Sequence, residues 1–227
     1  MTKRILSIIP ARGGSKGIPK KNIINLAGRP LIAWSIEASL NSEYITKTIV
    51  SSDDKEILDI SLEYGAEIIN RPKNLSDDNA NSESAVLHAI NHLKDIEEAF
   101  DIIILLQPTS PLRDSIDIDS AFKELFSSNA SGLISVSNCD NKILKAFTKN
   151  EQGYIEGISN NSYPYMRRQD LPKTYMSNGA MYIINTNAFI KNNGFYSKKM
   201  IPFIMSADKS IDIDTYKDLE EIEKLIS

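Results

Sequence analysis

Residues 102–113 read Ile102-Ile103-Ile104-Leu105-Leu106-Gln107-Pro108-Thr109-Ser110-Pro111-Leu112-Arg113. The aliphatic run is apolar on both faces, as a central parallel strand must be. It stops at a polar turn fixed by two prolines. From Asp114 to Phe126 the period changes, and Ile118, Ala121, Phe122, Leu125 and Phe126 fall on one helical face. Further strands are predicted upstream at Ile5–Ile9, Thr48–Val50 and Glu67–Ile69, and downstream at Leu133–Val136 and Met181–Ile184. Helical patterns separate them at Pro30–Leu40, Asp54–Tyr64 and Ser84–Leu93. A last one runs from Thr215 to Ile226, where Thr215-x-x-Asp218 has the form of a capping box. Such alternation predicts a three-layer α/β/α sandwich around a mostly parallel sheet. Ligands of these sheets lie beyond the carboxyl ends of the strands, so the loops after the strands are where chemistry belongs.

The chain has 227 residues, 41% apolar and 25% charged, with a formal charge of -4. That describes a soluble globular protein read as one domain, 1–227, with a core large enough to need no disulfide or structural metal. The mild acidity argues against a general nucleic-acid binder. A single cysteine, Cys139, leaves no disulfide framework and no Cys-rich zinc site. His88 and His92 have zinc-helix spacing without the HExxH glutamate, and read as one face of a helix. No apolar run approaches the roughly 20 residues of a membrane span. The basic, then apolar start Met1–Pro10 is too short for a signal peptide and reads as the first strand. A cytoplasmic location is expected. Residues 138–178 are rich in Asn, Lys, Tyr and Arg and show little periodicity; so long an irregular stretch is a lid or an arm that pairs with another subunit.

Four motifs carry polar chemistry. Pro10-Ala11-Arg12-Gly13-Gly14-Ser15-Lys16-Gly17-Ile18-Pro19-Lys20-Lys21-Asn22 follows the first strand. Its glycines allow close backbone approach, and Arg12, Lys16, Lys20 and Lys21 supply cations, a combination suited to a polyphosphate. It is neither a Walker A loop nor a GxGxxG fingerprint. In the turn after the central strand, Gln107, Thr109 and Ser110 are able to hydrogen-bond a sugar, unless the turn merely starts a helix. Asn178-Gly179-Ala180-Met181-Tyr182 precedes a strand. In Ser210-Ile211-Asp212-Ile213-Asp214-Thr215, two carboxylates two residues apart on an extended segment point the same way and suit Mg²⁺; capping of the last helix is the plainer alternative.

With these residues in place, the chain resembles the cytidylyltransferases that activate nonulosonic acids. This is the CMP-N-acylneuraminate synthase family, which makes CMP-sialic acid from CTP and N-acylneuraminate. The opening PARGGSKGIPxKN, LQPTSPLR (106–113), NGAxY and the late DxD occur in the family's order over essentially the whole chain. The resemblance implies a nucleotide-diphospho-sugar transferase-like, Rossmann-like fold with 138–178 as an inserted dimerisation arm. It implies CMP transfer from CTP to the anomeric hydroxyl of N-acetylneuraminic acid, with release of pyrophosphate. The alternatives are the same reaction on legionaminic or pseudaminic acid, a DxD glycosyltransferase, or a non-catalytic nucleotide-binding module.

By the same resemblance, Arg12, Lys21, Asp212 and Asp214 are the catalytic set. Arg12, Gly13, Gly14, Ser15, Lys16, Gly17, Lys21, Asn22, Arg71 and Ser82 are expected to hold the nucleotide, with Asn22 reading the base. Asp212 and Asp214 match the family's ligands for Mg²⁺ (or Mn²⁺). Gln107, Thr109, Ser110, Lys145, Arg168, Tyr182, Phe195 and Tyr196 are the sugar-binding candidates. Phe195 and Tyr196 stand for the aromatic pair of an N-acyl pocket, the second of which is more often Phe. Lys145 and Arg168 are expected to reach the active site of the partner in a homodimer, where an Arg fork suits a sugar-acid carboxylate.

Overall fold

The structure, a computed structural model, describes residues 3–15, 17–76 and 81–226. The elements follow as β1 (Ile5–Pro10), β2 (Asn25–Leu26), β3 (Arg29–Pro30), α1 (Leu31–Leu40), β4 (Lys47–Ser52), α2 (Lys55–Glu63), β5 (Glu67–Asn70), α3 (Ser82–Asp95), β6 (Ile102–Leu106), α4 (Ser115–Ser127), β7 (Gly132–Cys139), β8 (Phe147–Lys149), β9 (Ile155–Gly157), β10 (Thr174–Asn185), α5 (Thr186–Asn192), β11 (Met200–Ile204) and α6 (Tyr216–Ile226). The central sheet has seven strands in the order β11-β7-β10-β6-β1-β4-β5. All run in one direction except β10, which is antiparallel to both β6 and β7.

Alternation along the strands divides the core. Ile5, Ile9, Ile102, Ile104 and Leu106 face one side, where Ile32 and Ile36 of α1, Ile57 of α2 and Phe122 of α4 cover them. Leu6, Ile8, Ile103 and Leu105 face the other, under Val86 and Ala89 of α3 and Phe189 of α5. The result is the expected three-layer sandwich. A third cluster joins Ile18, Leu26 and Leu31 to Ile213, Leu219 and Ile222. It pins the end of the first βα loop against α6. No helix among the described residues is long and apolar enough to cross a membrane.

Besides the short helix α5, for which no helical pattern was read, three features depart from the sequence expectation. The strand at Met181–Ile184 extends back to Thr174 and runs antiparallel, because the chain returns from β7 as a neighbouring strand through the excursion of residues 140–173. β11 was not foreseen. It contains Pro202, which lacks a ladder donor, and such a strand is tolerated at the sheet edge, where β11 lies. The irregular stretch 138–178 gives both ends to β7 and β10. Between them it holds the β8–β9 hairpin and short 3₁₀ turns, with Phe147, Tyr154, Ile155 and Tyr165 exposed.

Candidate active site

β1 pairs with β4 on one side and with β6 on the other, so the sheet changes winding direction between β1 and β6. The loops leaving those two strands splay apart and open a crevice at their carboxyl ends. A cavity of about 410 Å³ lies there, lined by Arg12, Lys21, Arg71, Gln107, Asp212 and Asp214 among others. Ser15, Gly17, Asn22, Ser82 and Thr109 line it too.

The loop after β1 is braced from beneath. Gly13 N–H donates to Asp53 Oδ1 at 3.2 Å, so this amide faces the β4–α2 turn and not the cavity. A Cβ at Gly13 would stand 2.6 Å from Asp54 Oδ2, and one at Gly17 would stand 2.5 Å from the Asp214 carbonyl oxygen. Glycine is required at 17 because the loop and the late carboxylate segment touch there. Gly14 is exposed with open space around it. Asn22 is buried, and its Nδ2 donates to the Arg12 carbonyl at 2.9 Å, closing the loop on itself.

The four loop cations separate. Arg12 and Lys21 line the cavity. Lys20 instead pairs with Glu56 on α2, and Lys16 lies outside the described residues. Arg71, not part of that loop, brings a further cation to the cavity. It is buried and anchored by Nε donation to Ser76 Oγ at 2.8 Å. Burial pushes its guanidinium below the usual range, as does Arg12, while Asp53 opposes them.

Asp212 and Asp214 flank Ile213, which is fully buried, so both carboxylates turn out to the cavity as the two-residue period requires. Burial raises the Asp212 carboxyl above its usual range, and Asp214 adds to this; the Thr109 hydroxyl and Lys21 oppose it. Asp214 pairs with Lys21, Nζ to Oδ1 3.0 Å. Ser110 is buried, with Oγ 3.5 Å from Asp212 Oδ1, and the Ile213 N–H donates to the Thr109 carbonyl at 2.9 Å. The turn 107–110 therefore holds the carboxylate segment. Ser110 faces that segment and not the open cleft, while Thr109 also borders the cavity. The capping box is present as well: the Thr215 N–H donates to Asp218 Oδ2 at 2.7 Å, and the Asp218 N–H donates to Thr215 Oγ1 at 3.4 Å.

Among the described residues no three His, Cys, Asp or Glu side chains converge on a metal position. Two hard carboxylates beside a cationic, phosphate-sized cavity fit Mg²⁺, which ordinarily takes one or two carboxylates and completes its shell with substrate phosphates and water.

The remaining candidates divide. Gln107 lines the cavity, its Oε1 packed where a Cβ at Gly179 would come within 3.0 Å; Gly179 also has φ 76°, so both space and backbone demand glycine. Tyr182 is half-buried, with its hydroxyl 3.1 Å from Ser177 Oγ and its ring 5.5 Å from Phe195. Phe195 is buried against Phe189. A Cβ at Gly194 would meet Glu83 Cγ at 3.5 Å, which sets this aromatic cluster beside the first turn of α3, where Ser82 borders the cavity. Tyr196 is exposed. Lys145 and Arg168 do not reach the cavity of their own chain. The ammonium of Lys145 is taken up by the Met166 carbonyl, and Arg168 Nη2 lies 3.3 Å from Asp140 Oδ2.

Sequence reasoning missed Asp53, and it missed the structural weight of Asn178. The buried Asn178 carboxamide accepts from Ser135 Oγ at 2.6 Å and donates to Ser210 Oγ at 2.9 Å, tying the sheet to the carboxylate segment. The Asn-Gly-Ala motif was the available signal for it. His88 and His92 do share a helix face, with rings 6.5 Å apart, and take no part in the cavity.

The chain is 38% identical over 216 residues to the pseudaminic acid cytidylyltransferase of Campylobacter jejuni subsp. jejuni serotype O:23/36, spanning 95% of this chain and 93% of that one. It is 36% identical over 230 residues to the CMP-N,N'-diacetyllegionaminic acid synthase of Legionella pneumophila, with 98% and 96% covered. With the N-acylneuraminate cytidylyltransferase of Escherichia coli O18:K1:H7 it shares 33% over 220 residues, 97% of this chain but 51% of that longer one. Among solved structures it resembles a CMP:2-keto-3-deoxy-manno-octonic acid synthetase complexed with CTP (TM-score 0.73, 16% identity, 98% of both chains), a likeness of fold. A crevice at the switch point of a parallel sheet, with this balance of cations and carboxylates, is that of a nucleotidyltransferase. Residues 6–226 match the family model described as Cytidylyltransferase, and the chain belongs to that family.

Proposed function

We propose that the protein transfers CMP from CTP to the anomeric hydroxyl of a nonulosonic acid. The observation that carries this reading is the meeting, in one cavity, of Arg12, Lys21 and Arg71 with Asp212, Asp214 and Gln107. Negative charge in the reaction lies on the triphosphate and grows on departing pyrophosphate. Catalysis is then mostly positioning and electrostatic stabilisation. Arg12, Lys21 and Arg71 meet the phosphates, and Asn22 and Ser82 border the nucleoside end. Gln107 and the aromatic cluster of Tyr182 and Phe195 face the acceptor. Mg²⁺ or Mn²⁺ on Asp212 and Asp214 would neutralise phosphate charge and lower the pKa of the attacking hydroxyl.

With Arg12, Lys21 and Arg71 assigned to the phosphates, the acceptor carboxylate needs a further cation. Arg168 and Lys145, set on the exposed excursion between β7 and β10, supply it from a second copy in a homodimer. The motifs favour N-acetylneuraminic acid as acceptor. A second reading, pseudaminic or legionaminic acid, is supported by the relatives with those names, which match this chain over nearly their own full lengths. The deciding experiment is pyrophosphate release with CTP, Mg²⁺ and each of N-acetylneuraminic, legionaminic, pseudaminic and 2-keto-3-deoxy-octonic acids. Release with one of the nine-carbon acids supports the class and names the acceptor; release with the eight-carbon acid alone, or with none of the four, overturns it.

A further inference from the structure

Arg113 closes the turn that begins at Gln107, and its side chain is fully buried. Only one of its nitrogens is engaged: Nη2 donates to Ser35 Oγ at 2.7 Å, whereas Nε and Nη1 find no partner among the described residues. Burial lowers its pKa to about 10, which leaves it charged at neutral pH. The nearest carboxylates, Asp114 and Asp117, act only through space and both hydrogen-bond Lys209 at 2.7 Å. A buried cation without a hydrogen-bonded counterion is costly, and an apolar side chain would fill the same volume more cheaply. Its contact shows what it does. Ser35, on α1 and also buried, donates its own proton to the Gln107 carbonyl at 3.2 Å. A charged donor polarises the hydroxyl it binds and strengthens the next bond in the chain.

We infer that Arg113 is a positioning residue that acts through Ser35 to fix the backbone of Gln107, and so aims the Gln107 carboxamide at the acceptor sugar. The Gln107 carbonyl also accepts the Ser110 N–H at 3.4 Å, and the carboxamide is confined from the other side by Gly179. The inference rests on the reading of Gln107 as an acceptor contact.

The test is a set of variants read by acceptor KM, kcat and CTP affinity together. Ser35→Ala, which leaves the buried Arg113 without its one hydrogen bond and so lowers the melting temperature somewhat, should raise the KM for the acceptor acid on the order of tenfold, with CTP affinity near the parent's. In a Gln107→Ala background the same change should have no further effect on acceptor KM. Arg113→Lys should fall between the parent and Arg113→Met; if Arg113→Met fails to fold, Ser35→Ala carries the test. Equal losses toward both substrates, or a Ser35→Ala effect that persists undiminished without Gln107, would overturn the positioning role. An acceptor KM untouched by Gln107→Ala alone would overturn the reading of Gln107 itself, and this role with it.

Discussion

The Lys21 ammonium stands 3.0 Å from Asp214 Oδ1 and 2.7 Å from the Ile213 carbonyl, joining positions 193 residues apart. It compensates a carboxylate that the proposed chemistry assigns to a metal, so cation and metal compete for one oxygen. Lys21→Gln should therefore bind Mn²⁺ more tightly than the parent in the absence of nucleotide and bind CTP less tightly. Electron paramagnetic resonance titration of Mn²⁺ measures the first, and calorimetry the second. Unchanged Mn²⁺ affinity would show that the pair does not guard the metal position.

Asp212→Asn keeps the shape of the side chain and the reach to Thr109 and Ser110, and removes the charge. Turnover should fall by at least about a hundredfold, while CTP still binds. A variant with parental turnover would remove Asp212 from the metal role.

Gly17 and Gly14 make a matched pair in one loop. An alanine Cβ at 17 would stand 2.5 Å from the Asp214 carbonyl, whereas at 14 it meets nothing within 4 Å. Gly17→Ala should cost about 1–3 kcal/mol of stability through forced displacement and lower kcat as well. Gly14→Ala should leave stability nearly unchanged. Urea unfolding of the two variants decides; equal stabilities would mean the loop yields freely.

Asp218 accepts the N–H groups of Thr215 (2.7 Å) and Asp214 (3.0 Å), which hold its carboxyl below the usual range. A carboxylate whose folded pKa is depressed stabilises above its unfolded value, near 4, and loses that contribution as pH falls through the folded value. Asp218→Ala should then cost about 0.3–1.5 kcal/mol at pH 7. The gap from the parent should close on acidification below pH 4. A constant gap across that range would point to packing.

Arg168→Ala and Lys21→Ala should each be inactive toward sugar acids. Their equimolar mixture, unfolded and refolded together, should recover about a quarter of parental activity, since in the proposed homodimer half the dimers would be mixed and each would hold one intact site. A mixture as inactive as its parts would place Arg168 outside the partner's site.

The strand at 102–106 and the helix after it were legible because both faces of one and a single face of the other are apolar over their whole length. β11 was hidden by Pro202, and the direction of β10 depends on how the chain returns through 140–173, which no local pattern encodes. In the site, the spacing of Asp212 and Asp214 told that both would face one way, and both do line the cavity; capping of the last helix stayed open beside it, and their match to metal ligands came from the resemblance. Charge and spacing did not tell Lys20 from Lys21, and only the resemblance singled out Lys21; the physical reason is Glu56 on α2, which takes up Lys20. The chain from Arg113 through Ser35 to Gln107 was equally silent. Ser35 looks like any small residue in α1 until the fold sets it beneath the turn.

The contact between the loop at 12–22 and the segment at 211–214 also fixes an order of events during synthesis. At ordinary translation speeds of roughly 5–20 residues per second, the segment emerges some ten to forty seconds after the loop. Until then the loop lacks the Asp214 carbonyl against Gly17 and the Ile213 side chain against Ile18. A ribosome-bound chain stalled anywhere between them carries the cations Arg12 and Lys21 without the two carboxylates that line the cavity beside them.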